Sequence, residues 1–403
     1  MAGVIPTINQ GVSTEDILSD ERVIDMDDKI RVLKPDDTQF TTMTDRLGTT
    51  QAVREKVNWL EEEDFPRIIS NTSSQLSTDT AAIPFAAGQG KLVQANDLIR
   101  NMRTGEAARV TVVATDALTL ARGISSATGG VAAAAMNAND SWLVVADAQP
   151  QGSDFPTPRY LQRVLGYNFT QITRTPWTFN GTTVAIELYG GREPAKEAKR
   201  QGRVHKKKWE AIGFWGARSF TASSSGGGGN NEPQGTAGGA VEFVAQKYDC
   251  LGAQMTADFF DKMLMDVMQY GSQNKVLFAS PLVTYSMARW NRSGMGSQWE
   301  PTPENVHGVH VDAFISGAYG YRIPVVVKKE FGEFPTANGG YGTYAFLLDM
   351  DYIVQRPLRD RDTKLLVEQQ PKGRDTYSAE YIREATYEFA HPRAHTILFN
   401  MIP

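Results

Sequence analysis

The sequence predicts an α+β fold, and three observations carry the prediction. Two stretches, about 194–216 and 256–271, repeat their charged or apolar residues at helical spacing. Before them lie β-branched runs bounded by turn residues, around 109–121 and 167–191. Beyond about residue 305 the chain is almost wholly of strand composition, so segments distant in sequence are expected to share sheets.

The bulk properties bound what such a fold is for. The chain has 403 residues, 41% hydrophobic and 22% charged, enough for two or three domains or one elaborated domain. Its formal net charge is -5, unlike a dedicated nucleic-acid binder. The charge is uneven: residues 1–70 hold 8 Lys and Arg against 15 Asp and Glu, whereas 191–218 hold 9 against 3. That asymmetry suits charge-complementary contacts within or between subunits. A single cysteine, Cys250, excludes an intrachain disulfide framework and fits a reducing compartment. The N-terminus lacks a signal-peptide pattern, and no apolar run approaches bilayer length, so a soluble, cytoplasmically made protein is expected.

Taken in order, residues 1–60 read as an arm, rich in acids and without sustained periodicity, that another domain or chain must order. "KVNWLEEEDFPRII" follows with the acid run Glu61, Glu62, Glu63 and Asp64, a Ca²⁺ site or, more simply, exposed charge. Residues 72–146 form a small β subdomain, in which Arg109–Val113 and Ala117–Ala121 flank a turn. "YNFTQITRTPWTFNGTTVAIELYGG" is strand-like, with Asn180-Gly181 as a turn signal.

The helix of 194–216 opens on Pro194, tolerated in a first turn. Lys196, Lys199, Arg200, Arg203 and Lys207 fall on one stripe of it. "ASSSGGGGNNEPQGTAGG" is flexible by composition, and its purpose does not follow from the residues. In "TADFFDKMLMDVMQYG", Thr256 is the expected N-cap, Asp258 and Asp261 favour the first turn, and Gly271 ends the helix. Phe259, Phe260, Met263, Leu264, Val267 and Met268 form its core face. "KVLFASPLVTYSMARW" is a strand, a Ser280 cap, Pro281 and a helix. No internal repeat is present.

Chemistry is sparse. His391 and His395 are four apart, but Pro392 argues against a shared helix face, and His307, His310 and Asp312 lack a third ligand at metal spacing. The loop around Lys91 lacks the first glycine and the hydroxyl of a phosphate loop. Cys250 sits in no thiol-nucleophile motif. Asp349 and Asp351 could chelate a cation from one strand face, although a solvated face is the plainer reading. The expectation is a protein that is not an enzyme and that needs no cofactor or metal.

The order of these segments resembles the major capsid proteins of tailed bacteriophages, with the Hong Kong 97-like fold, in the branch whose extended loop carries a β insertion. "KIRVLKPDDTQFTTMTDRLG" is similar to the family's N-terminal arm, "KVNWLEEEDFP" to the start of the extended loop, and "GEAARVTVVATDALTLARG" to the insertion's hairpin. "YNFTQITRTPWTFNGTTVAIELYGG" looks like the segment leading into the long spine helix. "SSSGGGGNNEPQGTAGG" departs from the pattern and blurs the boundary that follows the helix.

The resemblance implies an arm over 1–55, an extended loop over 56–170 with its insertion at about 72–146, and a peripheral domain over 171–240. An axial domain over 241–350 and return strands over 351–403 complete it. It implies self-association in pentamers and hexamers, a portal protein, scaffolding and decoration proteins, and non-specifically held double-stranded DNA. The location implied is the virion, assembled in the bacterial cytoplasm, with no membrane partner. An encapsulin-type shell is the alternative within the fold; a DNA-binding or packaging protein using the basic helix 196–208 is the alternative outside it. For the stripe, the expected contact is Glu61–Asp64 of a neighbouring copy, against a merely solvated helix face.

Overall fold

The computed structural model describes residues 38–186, 193–224, 232–292, 298–306, 309–315, 320 and 322–402. Most of the expected arm (1–37), the centre of the glycine tract (225–231) and His307 lie outside them. The chain divides into two compact units, Leu60–Val164 and the remainder, Met1–Trp59 with Leu165–Pro403.

The larger unit is α+β, as expected, and holds two main sheets. One has seven strands, in the order Gln246–Asp249, Thr396–Phe399, Ala345–Asp349, Lys275–Ala279, Arg322–Val327, Val309–Ile315 and Gln298–Val306. Its central strands Lys275–Ala279 and Ala345–Asp349 are buried at every position because both faces are covered. Val276, Phe278, Phe346 and Leu348 face a core built with Phe40, Trp209 and Phe214. Leu277, Ala279, Ala345 and Leu347 face the other core, under the helices Ala257–Val267 and Pro281–Arg292.

The first of those helices forms where its residues dictate. Thr256 accepts the Phe259 N–H at 3.2 Å, Asp258 lies in the positive first turn, and Phe260, Met263, Leu264 and Val267 are buried. It ends at Val267, four residues ahead of Gly271, which takes a left-handed φ of 75°.

The second sheet is built on the long strand Thr376–Phe389. On one side it pairs with Gln171–Asn180, and on the other with Ile353–Pro357 and Lys364–Leu366. The last strand of the chain, Thr396–Phe399, joins the seven-stranded sheet between Gln246–Asp249 and Ala345–Asp349.

Four local expectations are corrected. Asn180-Gly181 is not a hairpin turn: the preceding strand finds its partner some 200 residues away, and Asn180 instead precedes a short helix, Gly181–Ala185. Part of the expected arm is a helix, Gln39–Leu47, with Phe40 and Met43 fully buried in its own unit. The glycine tract is not loose throughout. Ser219–Ser224 and Glu232–Thr236 pair as an antiparallel ribbon, and Ala237, Gly238 and Gly239 are buried against the end of the long helix. Finally, Asp349 is not on a solvated face. It is fully buried opposite Lys275, whose ammonium lies 3.1 Å away, whereas Asp351 falls in the following turn.

The smaller unit has a six-stranded antiparallel sheet, ordered Ile68–Ser70, Ser141–Asp147, Asp97–Asn101, Ala107–Ala114, Ala117–Ala121 and Ile83–Pro84. The expected hairpin turns at Thr115-Asp116, with Thr115 at φ 48°. Ile69, Ile99, Val110, Leu120 and Trp142 lie in a core of its own. Beside that core, Glu106 and Arg122 form a buried ion pair at 2.7 Å.

Candidate functional site

The site residues follow from the long helix Glu193–Trp215. Its inner face is set by small and aromatic residues. His205, Trp209 and Gly213 are buried on it, Phe214 is buried in the core at the end of the helix, and Gly202 lies against the ring of Tyr381. The helix rests on the odd-numbered side of strand Gln171–Asn180: Thr175 Oγ1 lies 3.1 Å from His205 Nδ1, and the His205 and Tyr381 rings are 5.9 Å apart. Lys208 is turned to the same strand and donates to Arg174 O and Thr175 Oγ1. Burial, reinforced by Arg383 and Lys208, lowers the His205 pKa to about 4, so its ring is neutral at pH 7.

The predicted stripe occupies the opposite side of the helix, about half a turn from His205. Lys199 and Arg200 are exposed, and Lys196, Arg203 and Lys207 are half-buried. Arg200 reaches Glu197 at 3.4 Å, a solvated pair of small energetic consequence. Among the described residues Lys199, Arg203 and Lys207 have no hydrogen-bond or ion-pair partner.

The acid run divides. Glu61 closes the strand Lys56–Glu61, whose alternation places Val57, Trp59 and Glu61 on the buried side. Glu62, Glu63 and Asp64 are exposed, and Glu62 is held by Arg163 at 3.0 Å. The stripe and Glu62–Asp64 belong to different units.

Two arrangements had no clear signal in the sequence. Glu210, in the last turns of the long helix, is buried and accepts from Phe40 N, Thr41 N, Thr41 Oγ1 and Lys328 Nζ at 2.6–2.9 Å. It therefore caps the helix Gln39–Leu47 from a distant part of the chain, where Thr38 makes no side-chain cap. The only hint was one glutamate set between Trp209 and an apolar run.

The second is a cleft on the even-numbered side of strand Gln171–Asn180, under the ribbon Ser219–Ser224/Glu232–Thr236. Ile172, Arg174, Phe220, Glu55, Glu232 and Glu384 line it. Arg174 is held by Glu380, and Glu384 by Arg361 and Thr170. Glu55 and Glu232 have no side-chain partner among the described residues.

Among the described residues no group of three His, Cys, Asp or Glu could hold a metal ion. Cys250 is buried, and burial followed by the charge of Asp249 raises its thiol pKa to about 11, which suppresses the nucleophilic thiolate. His395 is buried and accepts the Asp349 N–H through Nδ1 at 3.1 Å, a structural bond. Among the described residues no helix is long and apolar enough to cross a membrane.

The "Major capsid protein" of Pseudomonas phage PaMx41 is 36% identical over 100 residues, a match that covers 25% of this chain and 23% of that relative's length. The structure is similar to the capsid of a native GTA particle, with TM-score 0.49 and 8% identity over 98% of this chain and 100% of that one. It is also similar to the capsid of Myoviridae phage XM1 (TM-score 0.46, 9% identity, 97% and 99% covered). The holo-SrpI encapsulin complex of Synechococcus elongatus gives TM-score 0.43 and 12% identity, with 60% and 78% covered. The family model described as SU10 major capsid protein matches residues 7–401, nearly the whole chain, and the protein therefore belongs to that family of phage major capsid proteins.

Proposed function

We propose that this chain is the repeating subunit of an icosahedral phage head with the Hong Kong 97-like fold, enclosing double-stranded DNA. The observation that carries the reading is the family match over residues 7–401. In this reading the unit Leu60–Val164 is the extended loop with its β insertion, and Glu193–Trp215 is the spine helix. The sheet of Thr376–Phe389 belongs to the peripheral domain, and the helices Ala257–Val267 and Pro281–Arg292 to the axial domain.

Copies of the chain meet in pentamers and hexamers, and a portal, scaffolding and decoration proteins and non-specifically held DNA are its further partners. The particles form in the bacterial cytoplasm. Lys196, Lys199, Arg200, Arg203 and Lys207, with the exposed Glu62, Glu63 and Asp64, are inter-subunit contact residues, whereas Glu61 is buried in its own subunit. They act through charge complementarity and register, not through chemistry.

Expression of the full chain, alone and with the phage's scaffolding protein, followed by electron microscopy and sedimentation, tests this. Closed shells are the expected product. A protein that stays monomeric at high concentration in both settings would sink the proposal.

A further inference from the structure

The stripe and the cleft are complementary surfaces on opposite sides of one layer. The helix covers the face of the sheet that carries Thr173, Thr175 and Tyr381, and the stripe points away from that face. Ile172 and Arg174 alternate to the other face, with Glu384 directly paired to Ile172. Within one chain the two surfaces cannot meet. Between two copies they can, and such a contact is heterologous, so it repeats head to tail and closes a ring when the rotation permits.

The chemistry matches as well as the placement. Lys199, Arg203 and Lys207 are cations without partners among the described residues, and Glu55 and Glu232 are carboxylates in the same condition. The cleft floor is apolar and open, with Ile172 52% and Phe220 39% exposed. Long cationic side chains cover such a floor with their methylene stems and keep the charged head at the rim. The stripe spans about 16 Å from Lys196 to Lys207. The strand floor from Thr170 to Arg174 spans about 13 Å. The acid run is the poorer partner, since Glu61 is buried and Glu62 is already held by Arg163.

We propose that the stripe of one copy seats in the cleft of a second copy, with the stems of Lys199, Arg203 and Lys207 on Ile172 and Phe220 and their charges on Glu55 and Glu232. The inference rests on the shell reading above and names the contact between neighbours within it.

Three full-length variants test it: Lys199→Glu/Arg203→Glu/Lys207→Glu, Glu55→Lys/Glu232→Lys, and all five changes together. Each reversal alone should lower the yield of shells by about tenfold or more, because like charges then face each other, and the combination should restore it. Normal shells from Glu55→Lys/Glu232→Lys overturn the inference. So does failure of the combination where the stripe reversal is rescued by Glu62→Lys/Glu63→Lys, an outcome that leaves the shell reading intact. Should the reversals fold poorly, Arg203→Cys/Glu232→Cys decides. Cys250 is buried, and the two new thiols lie on opposite faces of one subunit. Oxidised shells should give a ladder of disulfide-linked multimers; shells without intermolecular disulfides overturn the contact. Absence of shells from the unaltered chain would instead remove the shell reading itself.

Discussion

Glu210 is where the long helix, the helix Gln39–Leu47 and Lys328 are joined by one carboxylate. Its oxygens take two backbone N–H groups at a helix N-terminus, one hydroxyl and one ammonium, all away from water. A buried pair of this kind need not outweigh an apolar substitute, but losing one member strands the other. Glu210→Ala is therefore expected to destabilise the subunit by about 3–5 kcal/mol, read from urea unfolding, because two helix N-terminal N–H groups and the Lys328 ammonium lose the buried carboxylate they share. A change below about 1 kcal/mol would mean that water or Gln39 takes over the carboxylate's role.

Burial also sets a pH dependence at His395. Its pKa is lowered to about 4, first by burial, which outweighs the raising effect of Asp349. The unfolded chain titrates this ring near 6.5. As pH falls from about 6.5 towards 4 the unfolded state takes up a proton that the folded state refuses, so stability is lost across that window. The urea midpoint of His395→Asn should fall less between pH 6.5 and 4 than that of the unaltered protein. Parallel pH profiles would show that the ring does not titrate as its burial implies.

At the scale of elements, the long helix shows propensity and packing in opposition. Gly213 and Gly202 both sit inside it, where alanine is intrinsically better by about 1 kcal/mol. A Cβ on Gly213 would stand 2.5 Å from Phe40 Cε1, with Tyr387 at 3.4 Å, so the glycine is what lets the first helix approach. A Cβ on Gly202 would meet only the end of the Tyr381 side chain, at 3.3 Å. Gly213→Ala should destabilise by about 1–3 kcal/mol in spite of its propensity, as overpacking does. Gly202→Ala should be at least as stable as the unaltered protein. Thermal unfolding of the two variants side by side checks the pair, and equal effects would show that packing does not decide.

For the whole molecule, the smaller unit has its own sheet, core and buried ion pair. Residues 60–164 produced alone should therefore unfold in a single cooperative transition. A random-coil spectrum from that fragment would show that its order is borrowed from the rest of the chain. Among the described residues the larger unit carries charges without a partner on two opposite faces, which water accommodates in a single copy and which the proposed contact would pair between copies.

The sequence by itself determined the elements whose causes are local. Thr256 and Ser280 mark helix starts, and the spacing of Phe260, Met263, Leu264 and Val267 fixes a buried face. The cations from Lys196 to Lys207 were legible as one stripe because helical periodicity alone aligns them. Family resemblance was legible from the order of segments, and it covers nearly the whole chain. Only the tertiary structure decided what depends on residues far apart. It turned Asn180-Gly181 from a turn into a helix start, because its strand pairs with Thr376–Phe389. It buried Asp349 on Lys275, folded Gln39–Leu47 onto Glu210, and fixed Ala237–Gly239 within a tract whose composition reads as loose. In each of these cases a polar or glycine residue takes its role from a distant partner, and no local pattern encodes that partner's position.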